Sequence, residues 1–195
     1  MNLPDSYETD TSVMTPTILM VPGLRDHVAE HWQTLLEAEL PNARSVPPLE
    51  HSKLSRAARV SALDKALAAI DGPVILVAHS AGVMITVHWA RMHHRPIHGA
   101  LLVTPADLES PMPPGYPTMD VLDDNGWLPM PRERLPFPSI LASSGNDPLC
   151  STQRAIELAK SWGSLVVDLG KVGHLNPAAG YGPWPRAEAL IDSLR

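Results

Sequence analysis

A chain of 195 residues with ordinary apolar content is long enough for one domain with a substantial core, and its net charge of −6 excludes the electrostatic footprint of a nucleic-acid binder. The single cysteine, Cys150, excludes an internal disulfide framework and a cysteine-based zinc site, and no apolar stretch reaches membrane-spanning length. The N-terminus carries no basic region followed by an apolar core, so the expected compartment is a reducing cytoplasm, with neither membrane nor nucleic acid as partner.

Residues 1–15 are polar, acidic and aperiodic, and read as a disordered tail before a single domain over 16–195. Thr17-Ile18-Leu19-Met20-Val21 is a buried-strand pattern, and Pro22-Gly23-Leu24-Arg25-Asp26-His27 is the loop after it. Trp32, Leu35, Leu36 and Leu40 recur at helical spacing, predicting a helix over about 29–40 that Pro41 ends. A short strand follows over 43–46. Val60, Leu63, Leu67 and Ile70 mark one face of a helix over 55–70, stopped by Asp71-Gly72-Pro73. The run from Val74 to Ala78 is a strand, and a helix apolar on most sides spans 81–93. Gly99 to Val103 is another apolar strand.

Pro105 to Pro136 has many prolines and little periodicity, and a connection this long inside a compact domain is usually a lid or binding loop. Phe137 to Ala142 is a strand. Ser151 caps a helix that Gly163 stops, Leu165-Val166-Val167 is the last strand, and a closing helix spans 185–194. Strands alternate with helices and are apolar without polar alternation. That pattern predicts an α/β chain with a mostly parallel sheet of about six strands, covered on both faces.

Between the strand at 74–78 and the helix at 81–93 stands His79-Ser80-Ala81-Gly82. A serine at the apex of a strand–turn–helix, with small residues two positions away on each side, resembles the Gly-x-Ser-x-Gly nucleophile elbow of α/β-hydrolases, here with Ala78 for the first glycine. Strand and helix pass close on either side of such a serine, so the flanking residues must be small. The five letters alone fit a second reading equally well, a serine that caps the helix.

Context favours the elbow. In parallel sheets, ligands bind at the carboxyl ends of the strands, and Ser80, Asp147 and His174 all follow strands, in the chain order serine, aspartate, histidine. A neutral serine hydroxyl is a poor nucleophile. An imidazole can take its proton and return it to a leaving group, and a carboxylate fixes the imidazole tautomer. Asp147 before Pro148 also fits a turn, and His174 also fits an idle loop histidine; the three together in this order are the expected catalytic set. Asp107, Asp120, Asp123 and Asp124 are rival carboxylates, none directly after a strand as Asp147 is. An oxyanion hole needs two backbone amides. Ala81 supplies one, and Leu24 or its neighbour Arg25 the other.

Val21-Pro22-Gly23, His31-Trp32-Gln33, Ser144 to Pro148, Trp162-Gly163 and Gly173-His174-Leu175-Asn176 leading to Gly180-Tyr181-Gly182-Pro183-Trp184-Pro185 together resemble the small serine hydrolases related to retinoblastoma-binding protein nine, including their short bacterial members. The resemblance runs from about Thr17 to the end. It implies a three-layer α/β/α minimal α/β-hydrolase fold without the first two antiparallel strands, and a triad of Ser80, Asp147 and His174. Esterase and aminopeptidase activities are both associated with that family, so the resemblance leaves the substrate open.

Trp32, Trp127 and Trp184 fall in or near loops on the catalytic side, with Met130 and Leu175. They suit a substrate pocket or ordinary packing equally, and the expectation carried forward puts all five on the pocket. His88, His93, His94 and His98 read as a helix end, where histidine suits the negative end of the dipole, rather than as metal ligands. Neither a phosphate loop nor a dinucleotide fingerprint is present. The expectation is a serine hydrolase without cofactor or metal, acting on a small-molecule carboxylic ester. Amide or peptide N-terminus hydrolysis is the alternative among enzymes, and a hydrolase-fold binding module the alternative outside them.

Overall fold

The computed structural model describes residues 14–195, so the tail expected at 1–15 lies almost wholly outside the described residues. Strands β1 (Thr17–Val21), β2 (Ala43–Ser45), β3 (Val74–His79), β4 (Gly99–Val103), β5 (Ser139–Ser143) and β6 (Leu165–Asp168) form one sheet. Their order is β2-β1-β3-β4-β5-β6, and every pairing is parallel. Parallel neighbours need a crossover, and the helices supply it. These are α1 (Trp32–Glu39), α2 (Arg56–Ala68), α3 (Ala81–Met92), α4 (Met119–Asp124), α5 (Thr152–Trp162) and α6 (Arg186–Asp192).

Alternate residues of each strand point to opposite faces, so the sheet feeds two cores. Leu19, Leu76, Ala78, Leu102 and Leu141 pack with residues of α2, α3 and α5 on one face. Ile18, Met20, Ile75, Val77, Leu101 and Ile140 pack with α1 and α6 on the other. This is why the central strands read as unbroken apolar runs: both faces are covered. The expected three-layer architecture is the observed one.

Three local differences have plain causes. The first helix starts at Trp32 rather than near Ala29, because the Nδ1 of His31 caps it by accepting from the Gln33 amide at 3.2 Å. Strand β6 is apolar in sequence, yet Leu165 is 73% exposed, because β6 is the sheet edge and has one neighbour. The proline-rich segment 105–136 is not simply a loop. It contains α4, capped by Thr118 and six residues long, too short to establish a helical period.

The order of the strands fixes where a ligand can sit. β1 leads into α1 on one face of the sheet, and adjacent β3 leads into α3 on the other. Their carboxyl ends diverge, which opens a crevice at the switch point.

Candidate active site

Ser80 stands at that switch point, between β3 and α3. Its backbone is at φ 58° and ψ −124°, a region that costs a non-glycine residue about 1–3 kcal/mol and persists only when its surroundings impose it. The imposing contacts are visible. The Ser80 amide donates to the Val103 carbonyl at 3.1 Å, and the Ser80 carbonyl accepts from Val83 at 3.0 Å. A Cβ added to Gly82 would lie 1.9 Å from the Val21 carbonyl oxygen, so α3 leaves β1 at a distance only glycine permits. The Ser80 side chain makes no capping bond to α3, which separates it from an ordinary helix cap.

Its Oγ instead lies 2.9 Å from Nε2 of His174. The Nδ1 of His174 faces both carboxylate oxygens of Asp147, at 2.9 and 3.0 Å. A carboxylate only accepts, so Nδ1 carries the proton and Nε2 is left as the acceptor for the serine hydroxyl. Asp147 Oδ1 also accepts from the Leu149 amide at 2.9 Å. Both side chains are nearly closed to solvent, at 6% for His174 and 2% for Asp147. The rival Asp107 is engaged elsewhere: it accepts from the Ser110 hydroxyl and pairs with Arg154.

The loops carrying these two residues are braced to each other. Ser144 Oγ accepts from the Val172 amide at 3.2 Å, and Asn146 Oδ1 accepts from the Gly173 amide at 2.8 Å. From below, Nε2 of His79 donates to the His174 carbonyl at 2.8 Å, with the Thr104 hydroxyl a weaker second donor at 3.4 Å. Burial, with His174 and His31 nearby, pushes the His79 pKa well below the usual histidine value, so this ring is neutral. His31 stacks edge-on against His79 at 4.6 Å, and burial followed by the proximity of His174 lowers its pKa to about 4. Its Nδ1 accepts from the Gln33 amide, which puts its proton on Nε2.

The loop after β1 crosses directly over the serine: a Cβ on Gly23 would sit 3.3 Å from Ser80 Cβ and 3.6 Å from its Oγ. Among the described residues, the amides of Leu24 and Arg25 have no acceptor. The loop is pinned by Arg59 of α2, a buried guanidinium that donates to the Leu24 carbonyl at 3.0 Å and the Lys53 carbonyl at 2.9 Å, and pairs with Asp26. Ala81, the first residue of α3, is the other expected oxyanion donor, and helix geometry leaves its amide without an intrahelical partner.

A pocket of about 350 Å³ opens over Ser80, His174, Leu24 and Ala81. Its wall is largely apolar, with Leu54, Leu108, Met112, Tyr116, Leu122 and Leu149. Much of that wall comes from the proline-rich segment. Trp32, Trp127, Met130, Leu175 and Trp184 do not line it, which corrects the expectation for these five. Trp32 packs edge-on against Trp184 at 4.9 Å, beside the α1 face of the sheet. Trp127 is buried in the opposite core with Met130, its indole N–H donating to the Leu54 carbonyl at 2.7 Å. Leu175 is fully buried. Loop position was the signal used for them, but the sheet faces take the large side chains, and sequence neighbours such as His31 and Asn176 face the pocket.

His79 and Arg59 were missed by sequence reasoning, and Ser144 and Asn146 stood in the Ser144 to Pro148 motif without a role of their own. Of the two missed residues, only His79 carried a signal, its place immediately before the serine. Of the clustered histidines, His88 donates to the Trp127 carbonyl and His93 faces Asp64, and no three His, Cys, Asp or Glu among the described residues converge as metal ligands.

Residues 18–193 match the sequence model of a family described as serine hydrolase. A YdeN-like hydrolase from Pectobacterium atrosepticum is 32% identical, with 91% of each chain covered and a TM-score of 0.76. The ydeN product of B. subtilis is 17% identical over 92% of this chain and 98% of its own, with a TM-score of 0.75. Alpha/beta hydrolase domain-containing protein 10 from mouse is 15% identical over 93% and 92%, with a TM-score of 0.67; at these lower identities the likeness is one of fold. No curated protein matches in sequence.

Proposed function

The chain belongs to the serine hydrolase family, and from that premise we propose that it cleaves the carboxylic ester of a small molecule through an acyl-enzyme on Ser80. The observation that carries this reading is the unbroken contact from Asp147 through His174 to a serine held at positive φ. Ser80 Oγ attacks the carbonyl carbon while His174 Nε2 takes its proton. The oxyanion forms against the amides of Ala81 and Leu24, where the N-terminal end of α3 also favours negative charge. Collapse expels the alcohol, which leaves with the proton from His174. Water then attacks the acyl carbon, His174 takes its proton, and Ser80 recovers that proton as the acid departs. Asp147 stays ionised throughout and stabilises the imidazolium. The steps need no cofactor.

Ester is favoured over a peptide N-terminus by the pocket wall. A free carboxylate favours a substrate ammonium, and the one carboxylate on the wall among the described residues, Asp26, is already paired with Arg59 and Lys53. The lone Cys150 suits a reducing cytoplasm: it is buried, with its pKa pushed up to about 12 by burial and by Asp107 and Asp147. Hydrolysis of a panel of 4-nitrophenyl esters beside aminoacyl fluorophores tests the reading. Turnover of esters with pre-steady-state release of nitrophenol is expected, and turnover of the aminoacyl compounds alone would replace the ester assignment with the amide one.

A further inference from the structure

Among the residues lining the pocket, two carry a permanent charge at neutral pH, Arg25 and Asp26. They differ sharply in company. Asp26 is matched by Arg59 and by Lys53, the latter at 3.8 Å. Arg25 has no carboxylate within ion-pair distance among the described residues. Its guanidinium is not loose, however: it lies 6.0 Å from the centre of the Tyr116 ring, and Tyr116 is itself on the pocket wall. A cation over an aromatic face is attracted by the negative face of the ring, and the contact limits the rotamers left to order on binding. Within a chain of net charge −6, the wall of an apolar pocket therefore presents, among the described residues, one positioned, unmatched cation.

We propose that Arg25 makes this a pocket for anionic esters: the substrate has an apolar middle and a carboxylate at the end remote from the scissile bond. The inference rests on the hydrolase reading above. The apolar middle follows from Leu54, Leu108, Met112 and Leu122 on the same wall. A planar guanidinium matches a carboxylate through two parallel hydrogen bonds, which an ammonium cannot do. Arg25 is two residues from Gly23, where an added Cβ would sit 3.3 Å from Ser80 Cβ, and the backbone span from Gly23 to Arg25 is at most about 7 Å before the side chain reaches outward.

The test uses two matched substrate pairs, each differing in a terminal methyl against a terminal carboxylate. One pair has the difference on the acyl side, 4-nitrophenyl octanoate and the 4-nitrophenyl monoester of suberate. The other has it on the alcohol side, hexyl acetate and the acetate of 6-hydroxyhexanoate. The readout is the ratio of kcat/KM, charged over neutral, within a pair. For one pair, the ratio should fall about three- to tenfold in Arg25→Gln, fall further in Arg25→Glu and fall less in Arg25→Lys, which keeps the charge but not the two parallel hydrogen bonds, and the wild-type ratio should decline with added salt. Ratios that are the same in wild type, Arg25→Gln and Arg25→Glu for both pairs would overturn the proposal while leaving the hydrolase reading intact. Absence of turnover of all four esters by the wild-type protein would instead count against the hydrolase reading.

Discussion

His79 donates a hydrogen bond from Nε2 to the backbone carbonyl of His174, 2.8 Å away and 95 positions along the chain. The residue immediately before the serine thus holds the loop that carries the imidazole facing that serine. Replacing it with leucine keeps bulk but leaves a buried carbonyl with only the long contact from Thr104. A lost hydrogen bond of this kind costs about 1–3 kcal/mol. His79→Leu is expected to lower kcat about tenfold or more with little change in KM, while His79→Gln, which retains a donor, recovers part of the loss. Equal kcat in wild type and His79→Leu would remove this positioning role.

Trp127, within the proline-rich segment, is fully buried, and its indole holds the Leu54 carbonyl. It therefore supports the pocket wall without touching the substrate space. Deleting a buried aromatic side chain costs about 3–5 kcal/mol. Trp127→Ala should melt well below the wild type, and it should lose activity on short and long esters in similar proportion. A selective rise in KM for long esters at unchanged melting temperature would return Trp127 to the binding site.

Three buried histidines set the acid limit of the fold. Burial lowers the pKa of His31 and His88 to about 4, and that of His79 well below the usual value. Above about pH 6.5 these groups are neutral both folded and unfolded, so they leave stability unchanged. As pH falls through 6.5, the unfolded chain binds protons that the folded chain refuses, and stability declines until the folded pKa is reached. Each such histidine contributes a slope of up to about 1.4 kcal/mol per pH unit. Urea unfolding at pH 7, 5.5 and 4.5 should give steadily lower midpoints. His88→Asn, whose site lies on α3 away from the catalytic groups, should flatten that dependence. Midpoints independent of pH over this range would mean the rings are not held neutral.

The sheet was legible because its strands are covered on both faces, and such strands read as apolar runs between turn residues. The serine was legible because a tight crossing of β3, α3 and β1 excludes side chains at Gly82. Asp147 and His174 were legible as polar residues directly after strands, a position that the parallel topology turns into one edge. The pocket wall was not legible. Whether Trp127 or Leu122 faces the substrate depends on how a six-residue helix seats inside a proline-rich segment, and no periodicity that short distinguishes its faces. The anchors were hidden for another reason. Arg59 belongs to an amphipathic helix and reads as solvated, yet it is buried because the loop after β1 brings the Leu24 carbonyl and Asp26 to it.

The central claim is that Ser80 is the nucleophile, activated by His174. A fluorophosphonate probe transfers its phosphonyl group to an activated serine, so the most direct measurement is mass mapping of the labelled protein. We expect one adduct, on the peptide containing Ser80, with labelling abolished in Ser80→Ala while that variant keeps the wild-type melting behaviour. An adduct on another residue, or labelling of Ser80→Ala at the wild-type rate, would contradict the account.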